Sequence, residues 1–250
     1  MVSEPRIVGP AFYARHGKSL SDWWNVLHPP YTIWHLSYAV IGAALAPDLS
    51  WGALGATILA FFLAVGVSAH ALDELHGRPL RTQISGRTLR VAAGSALLGA
   101  IALGVVGVVR GGYALVVLIP IGTVLVLAYN LELRGGRLHN DLAFALSWGG
   151  FPVVVGYAAQ QPPFDLARLA CVALAALAAI ALAHAQRQLS TPARHLRRRA
   201  ADVLAEVRYA DGSRSRLVRE DLLAPLEGGL KALSWAMPLL ASSLALAHLG

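Results

Sequence analysis

Seven predominantly apolar stretches run along the chain, separated by short polar connections: residues 30–47, 52–73, 89–109, 113–130, 142–159, 166–184 and 229–249. Each approaches the ~20 residues that a helix needs to cross the hydrocarbon core of a bilayer. The pattern predicts an all-α protein, a polytopic membrane bundle of about seven transmembrane helices. Two segments depart from it. Residues 1–29 interleave Phe12, Leu20, Trp23, Trp24 and Leu27 with Arg15, Lys18 and Asp22, which suits an amphipathic helix lying in the membrane interface before His28-Pro29-Pro30 breaks it. In 188–228, a basic run is followed by alternating residues flanking Asp211-Gly212, the signal of a small β-hairpin. The expected organisation is therefore a lead-in (1–29), a six-helix membrane core (30–187), an extramembrane basic segment with hairpin (188–228) and a last transmembrane helix (229–250).

The basic residues orient this bundle. Arg6, Arg15 and Lys18 precede the first span, and Arg78, Arg81, Arg87 and Arg90 follow the second. Arg134 and Arg137 follow the fourth, and Arg187, Arg194 and Arg197 to Arg199 follow the sixth. The opposite connections hold little beyond Asp48, Arg110 and Asp165. A Lys/Arg excess marks the cytoplasmic side. The expectation is a multi-pass protein of a bacterial plasma membrane, its N-terminus cytoplasmic and its C-terminus outside. Charged residues make up only 14% of the chain against 56% hydrophobic, and the +7 net charge reads as topology plus attraction to anionic lipid or phosphate. A nucleic-acid role is excluded, since no basic soluble face interleaved with aromatics is present. Cys171 is the sole cysteine, so no intramolecular disulfide forms. The polar, proline-broken N-terminus does not read as a cleaved signal peptide.

The candidate chemistry sits at three helix ends on the basic side. The second span closes on His70-Ala-Leu-Asp73-Glu74-Leu-His76-Gly77-Arg78-Pro79-Leu80-Arg81-Thr82. An ionisable side chain inside a span costs roughly 2.5–3.5 kcal/mol on insertion scales, so two carboxylates and a histidine on one helix demand a partner. The fourth span ends in Tyr129-Asn130-Leu-Glu132-Leu-Arg134, and the sixth in His184-Ala-Gln186-Arg187-Gln188. Asp73 and Glu74 are hard oxygen ligands suited to Mg2+. Arg78, Arg81, Arg134 and Arg187 are able to grip a diphosphate through bidentate charge-assisted bonds. The blander readings are a helix end neutralised by Asp73 and Glu74 pairing with Arg78 and Arg81, and satisfied core histidines at His35 and His184. A transition metal on His70, Asp73 and His76 is disfavoured, because His76 lies roughly 120° around the helix from His70.

These residues resemble the UbiA superfamily of intramembrane prenyltransferases, whose second helix ends in an Asn-Asp-x-x-Asp-type motif followed by an Arg-Pro-Leu turn. Ala69-His70-Ala-Leu-Asp73-Glu74 and Arg78-Pro79-Leu80 stand in those places, and Tyr129 with Arg134 is similar to the end of the family's fourth helix. Asp141-Leu-Ala-Phe-Ala-Leu-Ser-Trp148-Gly149-Gly-Phe-Pro152 resembles its fifth. The family's second aspartate motif has no counterpart, and His184-Ala-Gln186-Arg187-Gln188 stands there instead. The resemblance implies a UbiA-like fold and a membrane-embedded enzyme that transfers a prenyl group from an isoprenoid diphosphate to a hydrophobic or small-molecule acceptor. It implies Mg2+ on Asp73 and Glu74, and substrate bound by Arg78, Arg81, Asn130, Arg134, Arg187 and Gln188. Tyr129, His70 or His184 would orient the acceptor or shuttle a proton. The alternatives are a terpene cyclase on the same fold, or a non-enzymatic protein that binds or transports a metal or lipid.

Overall fold

The structure, a computed structural model, describes residues 11–15 and 19–250. Arg6 and Lys18 of the lead-in therefore lie outside the described residues. A short helix, α1 (Ser19–Leu27), precedes seven helical rods: α2 (Pro29–Ala44), α3 (Trp51–Leu75), α4 (Gly86–Val109), α5 (Leu115–Asn130), α6 (Asp141–Ala159), α7 (Leu166–Arg198) and α8 (Arg219–Leu249). Among the described residues, α3, α4, α6, α7 and α8 are long and apolar enough to cross a membrane, and α5 is a shorter apolar helix. Between α7 and α8 stand two antiparallel strands, β1 (Ala205–Arg208) and β2 (Arg214–Leu217), paired Ala205 to Leu217 and Arg208 to Arg214. The all-α bundle with a small hairpin is as expected.

Three boundaries differ from the pattern, each for a local reason. Helix α7 runs through Pro192 to Arg198, about four turns past the end of its apolar stretch. Its polar extension is held by Glu227 of α8, which accepts from the Arg197 guanidinium with both oxygens. Helix α8 starts at Arg219, where the carboxylate of Asp221 accepts the Val218 backbone N–H (2.9 Å). The lead-in helix α1 is clasped to the bundle: Val26 is fully buried with Ala71 and Leu89, and Asp22 accepts the Gln83 backbone N–H at 3.0 Å.

Small residues let the rods meet backbone to backbone. A Cβ on Gly42 of α2 would overlap the Val153 carbonyl of α6, and one on Gly156 would overlap the Ala39 carbonyl. In hydrocarbon, where apolar burial drives no association between helices, such close approach is what holds them. Two stretches are π-helical: Phe62–Ala69 within α3 and Leu146–Gly150 within α6. The second leads into Pro152, which has no N–H for the carbonyl of Trp148 four residues back. That carbonyl instead accepts His35 Nδ1 of α2 at 2.9 Å. A proline and a π-turn thus place a histidine in the core.

Candidate functional site

The connections 76–85, 131–140 and 199–218 share one end of the bundle with residues 11–15. The other end gathers 45–50, 110–114 and 160–165, where His248 near the C-terminus reaches the Ala44 carbonyl (2.9 Å). At the basic end a cavity of about 500 Å³ opens between α2, α3, α5, α6 and α7. It is lined by His70, Asp73 and His76 of α3 and its following turn, by Tyr129, Asn130, Glu132 and His139 around the end of α5, and by Gln186, Arg187, Ser190, Arg194 and Arg198 of α7. The three polar helix ends of the sequence do line one cavity.

The neighbouring carboxylates of α3 separate. Asp73 stands on the cavity wall with no hydrogen bond or ion pair among the described residues, and its electrostatic neighbours include His139, Arg194 and Arg198. Glu74 is fully buried and turned into the protein. Its Oε2 accepts Leu80 N–H (3.0 Å), and its Oε1 accepts Thr82 N–H and Thr82 Oγ–H (both 2.9 Å). A carboxylate saturated in this way organises the turn after α3, where Gly77, Arg78 and Arg81 all have positive φ. The expectation of Glu74 as a metal ligand or catalytic group is therefore corrected.

The other expected residues divide similarly. His70, Tyr129, Asn130 and Arg187 reach the cavity. Arg187 donates from Nε to Asp141 (2.8 Å) and lies 5.1 Å over the Phe144 ring. Arg78 instead closes its own turn, donating to the Ile84 carbonyl at 2.7 Å. Arg81 and Arg134 are exposed, with left-handed backbones that turn them off the wall. His184 and Gln188 face outward on α7 and contact each other at 3.3 Å. One helical turn separates those two, so the face that hides Gln186 and Ser190 necessarily exposes them.

Several lining residues escaped the sequence reading. Arg194 and Arg198 fall in the basic run 194–199, whose composition alone does not separate a cavity-lining arginine from a solvent-facing one. Gln186, Ser190, Arg194 and Arg198 recur every four residues and so form one slowly winding stripe over about 18 Å of helix. That spacing was visible, but it counts only if the helix continues through Pro192. The aromatic wall of Tyr13, His28 and Tyr31 was not anticipated either. Residues 11–15 are pinned to α1 by reciprocal bonds between the Arg15 backbone and the Asn25 side chain (both 2.9 Å), which sets Tyr13 against His28. Burial raises the Tyr13 phenol well above its ordinary range, so its O–H donates to His28 Nδ1. Burial, reinforced by His70, Arg198 and Arg194, pushes the His28 imidazole well below the usual histidine range.

Two further histidines are fixed the way His35 is. His70 Nδ1 donates to the Gly66 carbonyl of the π-turn (3.1 Å), and His139 Nδ1 to the Tyr129 carbonyl (3.1 Å). In each, Nε2 is left as the acceptor nitrogen. Tyr129 stacks on His139 at 4.4 Å and meets Trp148 edge-on at 6.0 Å. For a divalent ion the donor set fits one site at most. Asp73 is an unpartnered oxygen ligand, Glu74 is saturated, and no cluster of three His, Cys, Asp or Glu able to hold a metal occurs among the described residues.

Comparison with known proteins places this architecture. No protein-family model and no curated protein sequence matches the chain. A solved UbiA homolog from Archaeoglobus fulgidus, bound to Cd2+, is similar in structure with a TM-score of 0.50 at 16% identity, over 91% of this chain and 85% of that one. At that identity the likeness is one of fold, and the fold of this chain is UbiA-like.

Proposed function

We propose that the chain is a membrane-embedded enzyme of the prenyltransferase type, acting on an isoprenoid diphosphate in the cavity at its basic end. That end would face the cytoplasm of a bacterial cell, with the C-terminus outside. The observation carrying this reading is the opposition, across one polar cavity, of an unpartnered Asp73 and the arginine-bearing stripe of α7.

The cavity's two walls suit the two ends of such a substrate. Arg187, Arg194 and Arg198 supply planar, permanently charged donors for a diphosphate, whose negative charge grows as the bond to carbon breaks. Farther along α3, α5 and α6 lies a second cavity, apolar and about 250 Å³, lined by Ala60, Ala64, Gly122, Val126, Phe151 and Val155. Phe61, Val65 and Trp148 pack between the two. This layer suits a hydrocarbon chain beneath a polar head.

The carbon–oxygen bond would break with its electron pair leaving on the diphosphate. The π-faces of Tyr129, Phe144 and Trp148 would then steady the positive charge developing on the allylic carbon. An acceptor atom bonds to that carbon and gives up its proton, for which His70 Nε2 is held in the right tautomer. Asp73 is the residue that would hold Mg2+, which when bound neutralises diphosphate charge and eases its departure.

The test is diphosphate release from isoprenoid diphosphates of graded length by the protein in lipid nanodiscs, with and without Mg2+, alongside Asp73→Asn. Release that falls by two orders of magnitude or more in the variant supports the reading. Release with no acceptor present points to a terpene cyclase. No release at any length overturns the enzyme and leaves a binding or transport protein.

A further inference from the structure

The arginines of α7 do not share one fate. Arg187 is paired with Asp141, and Arg197 with Glu227. Arg194 lines the cavity with no carboxylate partner among the described residues. Its guanidinium is held by hydroxyls of its own helix, donating to Ser190 Oγ (3.2 Å) and Thr191 Oγ1 (3.1 Å). Arg187 and Arg198 are the like charges that act on it most strongly. A half-buried guanidinium, near two others and hydrogen-bonded among the described residues only to neutral hydroxyls, gains most when an anion completes the site. The hydroxyls also fix its plane, so little side-chain freedom is lost when an anion arrives.

On the opposite wall the acidic resources are thin. Of the two adjacent carboxylates of α3, one organises a turn and Asp73 alone reaches the cavity. Opposite Asp73, α7 brings no carboxylate to the cavity, which it lines with Gln186, Arg187, Ser190, Arg194 and Arg198.

We propose that Arg194, with Arg198 beside it, binds the diphosphate group directly, with no divalent ion between them. The substrate is anchored first by guanidinium, and an ion on Asp73 is not needed for binding. The ligand's identity rests on the prenyl-diphosphate reading above, whereas the direct mode of anion binding does not.

The experiment measures binding of inorganic pyrophosphate and geranylgeranyl diphosphate to the protein in zwitterionic nanodiscs, in EDTA and in excess Mg2+. Both should bind in EDTA with a Kd within about threefold of the Mg2+ value. Arg194→Gln should weaken both about tenfold or more, and Arg194→Lys should recover part of the loss. Binding seen only with Mg2+ overturns the proposal, as does an Arg194→Gln protein that binds both probes as wild type does. Were the variant not to fold, the EDTA comparison on the wild type still decides. Pyrophosphate displaced when phosphatidylglycerol is built into the discs would assign the clamp to a lipid headgroup, and so overturn the diphosphate assignment. Metal-free binding through Arg194 without diphosphate release at any chain length leaves the clamp standing and removes the enzyme reading. Transfer whose substrate binding collapses in EDTA does the reverse.

Discussion

Asp73 and Glu74 are neighbours of one chemical type with opposite employment, and single substitutions should separate them. Glu74→Gln keeps the shape but turns an NH2 group toward a backbone N–H that now has no acceptor. The expected loss is about 1–3 kcal/mol of stability, read as a lower melting temperature in detergent. Asp73→Asn removes no bond among the described residues, so its melting temperature should stay near wild type while diphosphate release is lost. The reverse pattern would exchange their roles. His28 makes a third residue-level prediction. Its folded pKa is depressed by burial, so below about pH 6.5 the unfolded chain binds a proton that the folded one refuses. Stability should therefore fall as pH drops from neutral toward about 5, by at most about 1.4 kcal/mol per pH unit from this residue. His28→Gln should flatten that slope.

At the scale of elements, the seam between α2 and α6 holds the site together. Gly42 and Gly156 allow the two backbones to touch, and the same contact brings His35 to the Trp148 carbonyl. Gly156→Val forces the helices apart, since the atom it meets is backbone and has no room to move. The protein should melt several degrees lower or fail to accumulate, whereas Gly55→Val, in open space on α3, should be neutral. Similar melting curves for the two variants would refute the close-packed seam. The π-turns were illegible in the sequence. A π-turn is one inserted residue in a helical ladder, and an apolar run such as Phe62–Ala69 looks the same with or without it. Helix α7 misled for a related reason: hydropathy ends at His184, yet polar residues continue the helix wherever a cavity and a neighbouring helix supply partners.

For the whole molecule, the placement of connections predicts sidedness. In a Cys171→Ala background, Ser213→Cys in the hairpin turn and Phe164→Cys before α7 lie at opposite ends and are both exposed. A membrane-impermeant maleimide should label the first only from the cytoplasmic side and the second only from outside. Labelling of both from one face would overturn the topology.

By itself the sequence determined the number of rods, their order, the hairpin and the end at which the chemistry gathers. These follow from properties summed along the chain: apolar length against bilayer thickness, Lys/Arg asymmetry, turn residues. It also singled out His70, Asp73, Tyr129, Asn130 and Arg187, because polar groups at a span's end are too costly to be idle. The tertiary structure decided which of two adjacent carboxylates faces the cavity, which arginines are consumed by Asp141, Ile84 and Glu227, and that Arg194 is left facing it. Such choices depend on which face a helix turns to its neighbours. That face is set by backbone contacts such as Gly42 on Val153, between residues more than a hundred positions apart, which no local pattern encodes.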